Sequence, residues 1–282
     1  MTRSTRPIAC KISHEEYSQI DGINWSTLKY ADESALSYLW HLENPPAETP
    51  AMVLGRATHT AVLESDRLLH EYVIFEGDRR GNDWKAFKEM HRDKTILRPE
   101  EYDTAIRIRD AVHGHKVAKK LLAKGLAECT LRWVDPPTGL ACKARLDWLD
   151  SRTLVDLKTT RNLGARDFGR SAGGMGYHGQ LAFINMGLAT FKRKVKTYLI
   201  AVENDEPHDV GVFTVSEDDL WAGEQLVRRC LDLVAECRRT KKWPGRYPAA
   251  VPLELPTWYF PKDEDELSLA DLGLVPRPRV EG

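Results

Sequence analysis

The stretch TLVDLKTTR, residues 153–161, decides the fold. Leu154, Val155 and Leu157 give it the apolar character of a short strand, and Asp156 and Lys158 interrupt it. Side chains alternate across a strand, so Asp156 and Lys158 share one face and Val155 and Leu157 the other. A buried carboxylate beside a buried ammonium is costly unless the two are paired or used. Two readings fit the spacing: a structural ion pair between Asp156 and Lys158, or half of a metal site.

Upstream, LAECTLRWV (126–134), the turn DPPTG and LACKARLDWLD (140–150) read as a hairpin. Asp147 closes its second strand, and Asp156 follows in the next one. Neighbouring strands lie about 5 Å apart, so the two carboxylates could share a divalent cation. Hard oxygen ligands of this kind suit Mg²⁺, with Mn²⁺ as a substitute. Lys158 would then stabilise charge or position a water. Arg145 and Lys143 alternate onto the face of Asp147 and are candidates for phosphate contact, against a solvated strand face as the plain alternative.

The rest of the chain supplies helices around these strands. INWSTLKYADESALSYLWHLENPP is helical in pieces, with Ser26 as a cap and Pro45–Pro46 as a stop. MVLGRATHTAVLES reads as a second helix, EYVIF (71–75) as a short strand, and GDRRGNDWKAFKEMHRD as a polar loop entering a helix. Helical spacing recurs from Pro99 to Leu122 and over 165–173, 178–190 and 218–241, with strands at KTYLIAVEN and DVGVFTVS. This order predicts an α/β (α+β) fold, a mixed central sheet flanked by helices with an N-terminal helical layer. One domain is expected over residues 1–260, mainly helical over 1–125 with a sheet core over 126–245. The acidic, Pro-containing tail 261–282 is expected to be poorly ordered.

Composition excludes several classes. The 282 residues are 42% hydrophobic and 29% charged, an ordinary globular balance with ample length for a core. No apolar run spans a bilayer and no signal-peptide pattern opens the chain, which points to a cytoplasmic protein with no membrane partner. A formal charge of −1 gives no whole-molecule attraction to nucleic acid, but 228–246 and FKRKVK (191–196) are locally basic. Five cysteines form no C-x-x-C pair and suggest no disulfide framework; Cys129 and Cys142 read as buried small apolar residues.

D-(x8)-D-x-K is the pattern of the PD-(D/E)xK nuclease superfamily. It falls within six blocks that occur in order, and with them the chain resembles the phage and prophage RecE-type (exonuclease VIII-like) exodeoxyribonucleases, relatives of the RecB nuclease module and lambda exonuclease. INWSTLKYADESALSYLWHLENP is similar to that family's opening helix and LGRATHTAVLE to its G-x-x-x-H-x-x-x-L-E segment. RRGNDWKAFKE resembles its variable-loop helix, GLACKARLDWLD its R-x-D strand, LVDLKTT its D-x-K-T strand and YHGQLAFI its Y-x-x-Q helix. The resemblance implies metal ligation by Asp147, Asp156 and His59, with Glu128 able to reach the metal's water shell. It implies that Lys158 faces the phosphate instead of pairing with Asp156, and that Gln180 and Tyr177 align the catalytic groups or contact the backbone. Ser26 and Thr159 are weaker phosphate contacts whose hydroxyls could equally cap or turn the backbone. Many relatives have Q-x-x-x-Y where this chain has Ile184, so Tyr177 is the candidate to supply the aromatic hydroxyl.

The implied activity is Mg²⁺-dependent hydrolysis of linear double-stranded DNA from free ends, 5′→3′, leaving 3′ single strands. A single-strand annealing protein and a homo-oligomeric ring are the implied partners, in a bacterial cytoplasm. Three alternatives stay open on the residues. These are an AddB-like iron–sulfur nuclease, which Cys10, Cys230 and Cys237 do not equip in the usual spacing, an endonuclease of the same fold, and a catalytically silent DNA-binding protein.

Overall fold

The structure is a computed structural model. It describes residues 8–9 and 12–260; the tail 261–282 and Cys10 lie outside the described residues. The chain divides into two compact units, Met1–Arg246 and Tyr247–Gly282. Residues 247–260 carry a single 3-10 turn, Thr257–Tyr259, and are exposed throughout, so they bury too little to belong to the larger core.

The larger unit opens with the two-residue strand β1 (Ile8–Ala9) and α1 (His14–Gln19), started by a Ser13–Glu16 capping box. α2 (Trp25–Leu28) follows, continued by a 3-10 turn over Lys29–Asp32. Its cap is Asn24, two residues before the expected Ser26: Asn24 Oδ1 accepts the Thr27 N–H at 3.0 Å and the Ser26 hydroxyl at 2.9 Å. Next come α3 (Ala35–Glu43) and α4 (Pro50–Leu63), the latter capped by Thr49 with Pro50 in its first turn. α5 (Leu68–Glu71) leads into β2 (Tyr72–Ile74), α6 (Gly81–Met90) and β3 (Thr95–Leu97). α7 (Pro99–Gly114) and α8 (Lys116–Leu121) complete the helical half. The sheet half comprises β4 (Leu126–Val134), β5 (Ala141–Leu149), β6 (Thr153–Thr160), α9 (Ala165–Gly174), α10 (Tyr177–Ala189), β7 (Lys196–Glu203), β8 (Val210–Thr214) and α11 (Glu217–Thr240).

Six strands form one mixed sheet in the order β1-β4-β5-β6-β7-β8, antiparallel except for the parallel pair β6–β7. The crossover between the parallel strands runs through α9 and α10, as a parallel connection requires. Sequence patterning located every strand of this sheet except β1, whose two residues are too short to carry alternation. It also missed β3, which pairs in parallel with β2 in a separate two-stranded sheet.

One face of the large sheet packs on α10 and α11, with Leu131, Leu146, Leu154, Phe183 and Leu231 in that core. The other face packs on α4 and α7, through Val62, Ile108, Val155, Leu157 and Ile200. Glycine sets the spacing on the first face. A Cβ at Gly223 would lie 2.2 Å from the His178 carbonyl oxygen, so only glycine lets α11 lie this close to α10. Cys142, Cys230 and Cys237 are free and buried. Cys129 is fully buried in the core, as its reading expected, and is also disulfide-bonded. Among the described residues no helix is long and apolar enough to cross a membrane.

Candidate active site

The site forms where β4, β5 and β6 lose their regularity. The β4–β5 register pairs Ala127 with Trp148 and Cys129 with Leu146, which sets Glu128 opposite Asp147. Alternation slips at this step. Cys129 and Leu146 belong to the α10–α11 core, whereas Ala127 and Trp148 pack on the α4–α7 side. Glu128 itself takes the left-handed backbone, φ 49°, a conformation that costs a non-glycine residue and recurs at functional sites. The β5–β6 ladder holds only Trp148–Val155 and Leu149–Leu154. Extending that register would set Asp147 opposite Asp156. Instead, Asp147 Oδ2 accepts the Leu157 N–H at 2.7 Å, a carboxylate standing where a strand carbonyl would.

Onto this opening α4 brings His59. One ligand atom each from His59, Glu128 and Asp147 lie within 4.8 Å of one another, and His59 Nδ1 is 3.6 Å from Asp147 Oδ2. The three line a cleft of about 770 Å³ together with Arg145, Glu15, Glu64 and Asp93. An imidazole and two carboxylates in that space fit a divalent cation by the chemistry of the donor set. Glu128, a water-shell candidate on sequence, therefore stands nearer the centre of the cluster than Asp156 does.

Asp156 is buried on the α10 side of the same opening. Gln180 Nε2 donates to its Oδ1 at 3.0 Å, and Lys158 Nζ lies 2.5 Å from its Oδ2. The pairing of Asp156 with Lys158 corrects the expectation that they would not meet. Two opposite charges on one strand face, both withdrawn from water, gain more from each other than from standing apart. Lys158 also lies over the Tyr177 ring, 5.0 Å from its centroid. Tyr177, Gln180 and Lys158 line a smaller cleft of about 280 Å³ with Ser26, Lys143 and Arg145, so Arg145 borders both.

The cations differ in how committed they are. Arg145 Nε forms a very short contact with Glu128, while its Nη1 is buried without a hydrogen-bond partner. Lys143 is buried and donates to the carbonyls of Tyr17, Ser18 and Ile20 at 3.0, 3.3 and 2.6 Å. Those bonds hold it at the C-terminal end of α1, where a cation complements the exposed carbonyls, and leave no donor for a phosphate. Thr159 alternates away from Lys158, onto the face of Val155 and Leu157, and lines neither cleft. Ile184 is core, packed beneath the small cleft.

Electrostatics follow from this packing. Burial, then repulsion from Asp156, pushes the Asp147 carboxyl up to about 7. Burial and the neighbouring Asp147 raise Glu128 as well. Burial, reinforced by Lys158, lowers His59 and so favours the neutral imidazole that ligates metals. Burial also disfavours the Lys158 ammonium, but Asp156 and Asp147 outweigh it and raise its pKa, so Lys158 stays charged near neutrality. Sequence reasoning could not see the Leu157 N–H that orients Asp147, because a backbone group leaves no residue signature. The partner position of Glu128 was legible in the hairpin register.

The fold is similar to that of a crystal structure from Eubacterium rectale, described there as a "Putative exonuclease". The TM-score is 0.61 over 88% of this chain and 96% of that one, at 13% identity. No curated protein sequence matches the chain. Residues 24–250 match the family model described as "PDDEXK-like domain of unknown function (DUF3799)". With its mixed sheet and its acids gathered on the central strands, the chain belongs to this family of PDDEXK-like domains, in the PD-(D/E)xK nuclease superfamily.

Proposed function

We propose that the protein is a divalent-metal-dependent nuclease that degrades linear double-stranded DNA from its ends, 5′→3′. The observation that carries the nuclease reading is the meeting of His59, Glu128 and Asp147 with their ligand atoms within 4.8 Å, beside Asp156 and Lys158. His59, Glu128, Asp147 and Asp156 would hold the cation, Mg²⁺ or Mn²⁺. A cation bound there supplies Lewis acidity toward a phosphodiester and lowers the pKa of bound water.

The chain's own groups do the rest. The neutral His59 offers a lone pair, and Asp147 must shed the proton its burial favours. Gln180 fixes the carboxylate plane of Asp156 through the 3.0 Å bond. Lys158 is a charged donor lining the smaller cleft, suited to the negative charge that grows on a phosphate under attack. Its raised pKa makes it a cation there rather than a base.

The exonuclease reading, with its polarity, draws on the resemblance to RecE-type enzymes. A homo-oligomeric ring and a single-strand annealing partner follow from the same resemblance, as does a phage or prophage origin. One assay tests the whole reading: digestion of linear duplex labelled at the 5′ or the 3′ end, with Mg²⁺ or with EDTA, and a closed circle as control. Loss of 5′ label with the circle intact is expected. Cleavage of the circle would replace the exonuclease by an endonuclease, and no digestion of either would leave a binding protein.

A further inference from the structure

The acid-lined cleft continues beyond the cluster of ligands. Thr95, at the start of β3, lines it and also lines a separate cleft of about 420 Å³ against α6. The two are opposite in charge. Glu15, Glu64, Glu71 and Asp93 join the acids of the first. Arg79, Lys88, His91, Arg92 and Lys94 line the second, against Glu48 and Glu101.

Both of those acids are already answered, Glu48 by Arg56 and Glu101 by Arg79 at 3.3 Å. Lys94 Nζ donates to the Leu69 carbonyl at 3.1 Å, which fixes its position without cancelling its charge. Arg92, just beyond the end of α6, pairs among the described residues only with Glu89 of that helix, with the two side chains 72% and 63% exposed, a pair weak enough for a phosphate to displace. Lys88 has no ion-pair partner among the described residues. It stands over the Trp84 ring at 5.2 Å, with the Arg79 guanidinium 5.6 Å from the same ring. α6 buries no residue completely; Trp84 and Phe87 rest on Phe75 and leave its basic side free.

The Trp84 ring stands against two of the cations that line this groove, and basic side chains interleaved with an aromatic ring are the arrangement that holds a single nucleic-acid strand, with phosphates on the cations and a base against the ring. The cleft's volume is that of a small-ligand site, not of a double helix. An acid-lined cleft repels phosphates, so a strand reaching the catalytic acids needs an anchor outside them. We infer that the arm formed by β2, α6 and β3 carries a single DNA strand next to the active site, its backbone on Lys88, Arg92 and Lys94 and a base against Trp84. This rests on the nuclease reading and names how that site holds its substrate.

The test is binding of a fluorescein-labelled oligothymidylate in EDTA, read by anisotropy over a range of salt, with the full-length protein. The Lys88→Ala/Arg92→Ala double variant should bind about tenfold more weakly. Its plot of log Kd against log salt should be shallower by about 1.4, since each phosphate contact on a single strand contributes roughly 0.7. Lys88→Gln/Arg92→Gln, which removes both charges but keeps polar side chains longer than alanine's, should repeat the result. Unchanged affinity and slope in both double variants would overturn the inference. Equal or tighter binding of oligouridylate would overturn the assignment to DNA. Because binding is read without metal, its failure is distinct from failure of the nuclease reading, which is scored by wild-type digestion of linear duplex with Mn²⁺.

Discussion

β6 has two different neighbours. Toward β7 it pairs along its whole length, from Thr153–Lys196 to Thr160–Glu203. Toward β5 it pairs at only two positions, Trp148–Val155 and Leu149–Leu154. The paired side is regular and its inward residues are apolar; Leu157 and Ile200 are both almost wholly buried. The opened side holds Asp147, Asp156 and Lys158, and its backbone donor at Leu157 is satisfied by a carboxylate. One strand thus serves two purposes: its β7 edge anchors it in the core, and its β5 edge gives up ladder bonds to make room for charge. Stability and chemistry should separate along that line.

The largest effect expected is on the open side. Lys158→Ala should lower metal-dependent DNA hydrolysis about a thousandfold, or ~4 kcal/mol of barrier. Asp147→Asn should match it. Circular dichroism and thermal unfolding must show that each variant still folds, because Asp156 loses its buried partner in the first. Near-normal digestion by a folded Lys158→Ala protein would remove Lys158 from the site. On the paired side the effect should appear in stability. Leu157→Ala empties a fully packed position between β6 and the α4–α7 layer and should cost about 2–5 kcal/mol in urea unfolding. A loss below 1 kcal/mol would mean that this edge is not the anchor.

The sequence made much of this comparison readable, for reasons that can be named. Asp156 and Lys158 stand out because polar side chains are conspicuous in a strand flanked by leucine and valine, and strand alternation correctly put them together. What it could not supply was the break in alternation at Glu128 and Asp147. A regular period has no means of announcing where it slips, and Glu128 takes a left-handed φ that no glycine or asparagine advertises. Lys143 shows the same limit. On paper it is one more cation two residues from Arg145, but its neighbours in space are three carbonyls of a helix end more than a hundred residues earlier in the chain. The parallel pairing of β2 with β3 was hidden for another reason: β2 was readable in EYVIF, but the three residues of β3 carry too little pattern to be told from loop.

A third prediction uses acid–base chemistry on the open side. The Asp147 carboxyl is pushed up to about 7, against an unfolded carboxylate near 3.8. Between those values the folded chain keeps a proton that the unfolded chain has released, so this group's contribution to stability is complete below the lower value and is lost as pH rises through the upper. A bound cation relieves the penalty by pairing with the ionised group. With EDTA, thermal stability should therefore fall from pH 5 to pH 8, and the gain on adding Mn²⁺ should be larger at pH 8. Asp147→Asn should flatten both trends. An equal Mn²⁺ gain at the two pH values would show that Asp147 does not exchange its proton for the metal.

The smallest effect should come from the backbone at Glu128, and it separates the two costs that meet there. Its left-handed φ of 49° favours glycine, whereas its carboxylate is needed both by the candidate cation and by Arg145. Glu128→Gln keeps the strained backbone and removes the charge. Glu128→Gly removes the charge and relieves the strain. Both should weaken Mn²⁺ binding to a similar degree, as read by the thermal shift the metal produces. With EDTA the glycine variant should be the more stable of the two by about 1 kcal/mol, the cost of holding a side chain in that region. If the glutamine variant is instead the more stable, its amide still holds the Arg145 guanidinium and that contact outweighs the strain. The left-handed turn would then cost the fold little, and the irregular step of the β4–β5 ladder at Glu128 would be almost as relaxed as the regular pairs on either side of it.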